Sequence, residues 1–142
     1  MKFSVFELAS KYVYPSIRRR IVEIMYKEIG LSQKQISKIM YIDQSTVARY
    51  LEGERGKYID LSIYPELDKV LKKYAIEITS VKPDKYTLTR KLIRLTLWIL
   101  GRGYICPYHE KLDNTIDASK CKICIELFKN IELDDESHGR EK

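Results

Sequence analysis

The chain is 142 residues long, 44% hydrophobic and 32% charged, which is enough apolar content for one domain, or one small domain with an appendage. No apolar run is long enough to cross a bilayer; the longest, Leu92 to Leu100, is broken by Arg94 and Thr96. The opening MKFSVFELASKY has Glu7 early and no signal-peptide core, so the expectation is a soluble cytoplasmic protein without a membrane partner.

Helical periodicity dominates, and no alternating strand stands out. Phe3, Phe6 and Val13 fit a short first helix that Pro15 ends or resets. Ile17, Ile21, Ile24 and Met25 mark a second helix, with Arg18, Arg19 and Arg20 near its start and Gly30 as its C-cap. Ser32 is a natural N-cap for a third helix running to about Met40. After the tight Tyr41-Ile42 connection, Asp43 caps a fourth helix from Gln44 to about Glu52, which Gly53 ends.

GERGKY, residues 53–58, reads as a basic loop punctuated by glycine. Pro65 suits the first turn of a fifth helix, with Leu67, Val70, Leu71, Tyr74 and Ile78 as one apolar stripe. Residues 81–85, with Pro83, form a linker. Asp84 or Thr87 then caps a long helix carrying Leu88, Leu92, Leu95, Ile99 and Trp98, and Gly101 and Gly103 stop it. The stretch CPYHEKLDNTIDASKCKIC leads into a final helix from Ser119 to about Asn130, and the charged end, 132–142, is expected to be disordered. The expected organisation is therefore all-α. Residues 1–80 form a helix-turn-helix unit, 81–105 a long helix, 106–131 a Cys/His segment and 132–142 a tail.

The net charge of +6 is unevenly spread. Residues 1–60 hold 11 Lys/Arg against 7 Asp/Glu, residues 61–105 hold 9 against 4, and residues 106–142 reverse to 6 against 9. A basic body of this kind favours polyanions, although a solvated lysine-rich surface produces the same count.

The segment SQKQISKIM-YI-DQSTVARYLEG meets the apolar demands of two helices crossing over a short turn. Ile36 anchors the first helix beside the small Ser37, Met40 and Ile42 bracket the turn, and Val47, Tyr50 and Leu51 supply the inner face of the second. The polar Gln44, Ser45, Thr46 and Arg49 then fall outward. On these residues, 17–53 resembles the helix-turn-helix of phage-repressor/Cro-like (Xre-type) transcriptional regulators. The order PSIRRRIVEIMYKEIGLSQKQISKIMYIDQSTVARYLEGERG, with a late Cys-x-x-Cys, is similar to a group of predicted archaeal regulators. Two positions depart from the family pattern: Ser37 stands for the usual Ala, and Tyr41 for the usual Gly. A non-Gly residue in a left-handed turn costs on the order of 1 kcal/mol.

The resemblance implies a double-stranded DNA partner read in the major groove by helix 44–52. Gln44 suits adenine N6/N7, Ser45 and Thr46 suit bases or phosphates, and Arg49 suits guanine or a phosphate. Gln33 and the N-terminus of its helix suit a phosphate, with Lys34, Arg55 and Lys57 flanking; Arg18, Arg19 and Arg20 are secondary candidates. One monomer would cover only about 4–6 base pairs, so a homodimer on a palindromic site is expected. The 85–101 helix is the candidate interface, packing on the helix-turn-helix core being its alternative role.

Cys106-x-x-His109 and Cys121-x-x-Cys124 offer four ligands in 19 residues. Two such pairs suit tetrahedral zinc. An iron–sulfur cluster, a Cys121–Cys124 redox dithiol and plain buried cysteines remain open alternatives. A helix capped at Ser119 would lower the Cys121 and Cys124 thiol pKa values. There is no glycine-rich phosphate loop, G-x-S-x-G or paired acidic motif, so an enzyme is not expected. The competing function is a metal- or redox-dependent sensor or adaptor whose helix-turn-helix contacts protein rather than DNA.

Overall fold

The structure is a computed structural model and describes residues 1–56 and 58–133. Lys57, one of the candidate DNA-contacting residues, and residues 134–142 of the expected disordered tail lie outside the described residues. Among those described, every regular element is helical and no strand occurs. No helix of the described residues is long and apolar enough to cross a membrane.

The first 29 residues differ from the expected broken pair of helices. Helix α1 (Val5–Leu8) passes into a π-helical turn (Ala9–Val13), then α2 (Tyr14–Glu23) and a second π-helical turn (Ile24–Ile29). Pro15 does not end the helix, because the wider turn absorbs it. The Tyr14 N–H donates to the Ala9 carbonyl, five residues back, so the register has already changed where proline withholds its own N–H. Ser16 continues the run by donating its hydroxyl to the Tyr12 carbonyl at 2.7 Å. Gly30 then closes it in the left-handed conformation, φ 89°, as its C-cap role demands.

Helix α3 (Gln33–Met40) opens with a capping box between Ser32 and Gln35. Helix α4 (Gln44–Leu51) follows after three residues. A 3₁₀ turn (Leu61–Ile63) leads to α5 (Pro65–Val81) and then α6 (Lys85–Gly101), which Asp84 caps by accepting from the Thr87 N–H at 2.8 Å. Helices α7 (Cys106–Leu112) and α8 (Ile123–Phe128) complete the order. Helix α7 occupies a stretch expected to be irregular, and α8 starts at Ile123 rather than at Ser119. The Ser119 hydroxyl is instead spent on Asp117, at 2.6 Å.

Helix α2 runs through the middle and touches α4, α5 and α6. One buried apolar cluster extends from Leu8 to Ile105, so the expected divisions at 80 and 105 fall within a shared core. Leu133, assigned to the tail, packs against that core. Of the two roles expected of α6, packing on the core is the one its stripe fills within the single chain: Leu88, Leu92, Leu95 and Ile99 are all buried, in contact with α2 and α8, while Tyr86 and Ile93 of α6 stay exposed. Trp98 is half-buried beside Tyr104, with the Arg102 guanidinium 5.1 Å from its ring.

Two polar links fix α5. Arg20 grips Asp68 with both ends of its fork, Nε to Oδ1 at 2.8 Å and Nη2 to Oδ2 at 3.0 Å. Lys91 of α6 pairs with Glu77 at 3.3 Å.

Candidate nucleic-acid interface and the cysteine segment

Local sequence sets the geometry of the α3–α4 pair. Tyr41 ends α3 in the left-handed region, φ 56° and ψ 41°, where glycine would be the unstrained choice. Its hydroxyl donates to the Pro83 carbonyl at 2.9 Å. That bond holds the turn against the α5–α6 connection and offsets part of the strain.

Asp43 then opens α4. Its Oδ1 accepts from the Thr46 N–H at 2.9 Å, the Thr46 hydroxyl at 2.5 Å and the Ser45 hydroxyl at 3.1 Å. The Thr46 hydroxyl and N–H, then the Ser45 hydroxyl, hold the Asp43 carboxyl below its ordinary range despite the opposing effect of burial. The carboxylate therefore stays ionised at the positive end of α4.

The inner side of α4 is closed by Val47 and Tyr50, both buried. Gln44, Ser45 and Arg49 are exposed, as expected of an outward edge. Thr46 is not: it is 8% exposed, turned into the cap by its two bonds to Asp43, and so is withdrawn from base contact. Glu52 is exposed one turn beyond Arg49, and places an acid at the far end of the edge. Ala48, half-buried one turn after Gln44, was passed over in the sequence; its small side chain lets that edge approach a surface closely.

Lys34 and Arg55 are exposed, and Gln33 is half-buried at the start of α3. The loop bearing Arg55 is pinned through Gly56, φ +69°, where an added Cβ would run into the Pro15 carbonyl and come within 2.8 Å of the Arg19 Cβ.

The three arginines at the start of the second helix are engaged within the chain. Arg18 lies over the Tyr14 and Tyr50 rings, at 5.6 and 5.8 Å. Arg19 pairs with Glu23 at 3.0 Å, and Arg20 holds Asp68.

The expected Cys/His ligands lie on α7, on α8 and in the segment between them, where the Cys121 sulfur is near enough to raise the Cys106 thiol pKa, and Cys106 and Cys121 that of Cys124. Among the described residues no group of three or more His, Cys, Asp or Glu is placed to hold a metal ion. His109 is buried, 6% exposed, and its Nε2 donates to the Phe3 carbonyl at 3.0 Å. Asp113, one turn further on, accepts from the Lys2 and Phe3 N–H groups and from Thr115. Burial opposes ionisation of Asp113, but the bonds from Thr115, Lys2 and Phe3 outweigh it and hold the carboxyl well below the carboxylate range. Together His109 and Asp113 clamp Lys2 and Phe3 onto the end of α7.

Cys106, Cys121 and Cys124 are free and half-buried. The expected lowering of thiol pKa is reversed at Cys124, where burial, then the neighbouring Cys106 and Cys121 sulfurs, push the thiol up to about 11. Burial and Cys121 also raise Cys106. Cys124 sits on a helix of only six residues, packed against the core, so desolvation outweighs the helix dipole.

Comparison with known family models, curated proteins and solved structures finds no match to this chain.

Proposed function

We propose that this chain is a sequence-specific DNA-binding transcriptional regulator that lays α4 in the major groove, with Gln44 and Arg49 as its base-reading side chains and Ser45 as an auxiliary contact. The observation that carries this reading is the exposed polar edge of Gln44, Ser45 and Arg49 on a helix locked behind by Val47 and Tyr50. A groove-reading helix needs this combination, because base discrimination depends on side chains held by a rigid scaffold. Lys34 and Arg55 supply phosphate contacts on either side. Thr46 acts by fixing the start of the helix and touches no base. The protein works as a homodimer on a palindromic site, through a surface other than the covered Leu stripe of α6.

The test is fluorescence anisotropy with duplex DNA across a salt series. Binding should weaken steeply as salt rises. Gln44→Ala with Arg49→Ala should lose roughly 30-fold or more at the preferred sequence, since each bidentate base contact contributes about 1–3 kcal/mol of discrimination, while the circular dichroism spectrum is unchanged. Unaltered affinity of the double variant for that sequence would overturn the reading.

A further inference from the structure

A cleft of about 660 Å³ opens between α2, the α3–α4 turn and the first half of α6. Tyr14, Tyr41 and Tyr86 line it, together with Arg18, Lys85 and Arg90, over an apolar floor that includes Leu88 and Leu92. Among the described residues lining it there is no carboxylate. Nor do the salt bridges of the described residues include Arg18, Lys85 or Arg90. Arg18 rests on tyrosine rings and Lys85 lies 5.3 Å from the Tyr86 ring. Asp84, whose charge Arg90 feels, caps α6 and does not line the cleft.

Three cations around an aromatic-walled hollow of ligand size are complementary to a small anion with a flat apolar body. A guanidinium pairs with a carboxylate through two parallel hydrogen bonds, and a carboxylate can be carried directly on a flat ring that the tyrosine walls and apolar floor would bury. We propose that this cleft binds a small aromatic carboxylate, the ring seated between Tyr41 and Tyr86 and the carboxylate facing Arg18, with Lys85 and Arg90 adding charge at the rim.

The site also has a route to α4. Tyr41 is both a wall of the cleft and the left-handed residue on which the α3–α4 turn depends. A ring packed against Tyr41 resists rearrangement of that turn, so the ligand alters DNA affinity. Only this consequence rests on the DNA-binding reading; the binding itself is independent of it.

Isothermal titration of the full chain with naphthalene-2-carboxylate, in parallel with naphthalene-2-carboxamide, tests the binding without DNA. Saturable one-to-one binding of the carboxylate is expected, with the neutral amide weaker by about tenfold or more, the loss expected when a charge-assisted contact is removed. Arg18→Gln should weaken the carboxylate to the level of the amide. Because Arg18 also stacks on Tyr50, the exposed pair Lys85→Gln with Arg90→Gln provides a second variant that keeps the fold, and it too should weaken carboxylate binding. No saturable binding of the carboxylate, equal binding of acid and amide, or unchanged affinity in the Lys85/Arg90 variant overturns the proposal. Binding without any effect on DNA affinity supports the site and removes only its link to α4.

Discussion

Replacing Asp68 by Asn should unfold the chain more easily by about 2–3 kcal/mol at neutral pH, and this loss should fade in acid. Arg20 and Asp68 are joined by two bonds of 2.8 and 3.0 Å, with side chains only 17% and 12% exposed. Removing one member of a fully buried pair costs about 3–5 kcal/mol, because the survivor is left charged without its partner. Here Arg20 keeps Glu23 at 3.4 Å and Glu28 at 3.5 Å, and Glu28 is exposed, so the loss falls below that range.

The pH dependence follows from the same bond. The hydrogen bond from Arg20, opposed by burial, holds the Asp68 carboxyl below its ordinary value. A depressed carboxylate pKa stabilises the fold above the unfolded pKa, about 4 for Asp, and that contribution disappears as pH falls through the folded value. Urea unfolding followed by circular dichroism should therefore separate wild type from Asp68→Asn at pH 7, with the gap narrowing progressively as pH falls below about 4. A difference below about 0.5 kcal/mol at pH 7, the size of an ordinary exposed pair, would refute the reasoning. So would a difference that persists unchanged in acid.

Tyr41→Phe removes the bond to the Pro83 carbonyl and should cost about 1 kcal/mol; Tyr41→Gly loses the same bond but relieves about 1 kcal/mol of left-handed strain, so urea midpoints should place it close to wild type. Cys124, with its thiol near 11, should react with iodoacetamide at pH 8 about a hundredfold more slowly than an unperturbed cysteine, as judged by mass spectrometry of the labelled peptide. Gly101→Ala sets a Cβ 2.7 Å from the Phe128 carbonyl oxygen. It should displace α8, lower stability by about 1–3 kcal/mol despite better helix propensity, and speed Cys124 labelling; wild-type labelling and an unchanged melting temperature would count against that packing.

What was legible in the sequence is what is local. Ser32, Asp43 and Asp84 act as N-caps, Gly30 as a C-cap and Pro65 as a helix start because each role is settled within a few residues. Tyr41 likewise stood out as a non-Gly residue at a turn that favours glycine, and it adopts the left-handed conformation, as Lys82 also does without any such signal. The failures share a different cause. Pro15 looked like a break because the compensating register change at Tyr14 depends on an i→i−5 bond that has no pattern in side chains. Thr46 sits at an outward helical position by periodicity, yet its hydroxyl is captured by Asp43, three residues away. Spacing likewise could not show that the His109 Nε2 bonds a backbone carbonyl 106 residues distant. The Leu stripe of α6 is equally apolar whether it meets a second copy or α2 and α8. Only the packing shows that it is already covered.

The central claim is that Gln44 and Arg49 read base edges. Selection of bound duplexes from a random-sequence DNA library, run in parallel with wild type and with Gln44→Ala/Arg49→Ala, tests it most directly. The account predicts that wild type enriches one two-fold related motif and that the double variant, still folded, enriches none. Enrichment of the same motif by both proteins, or of no motif by wild type, would contradict it.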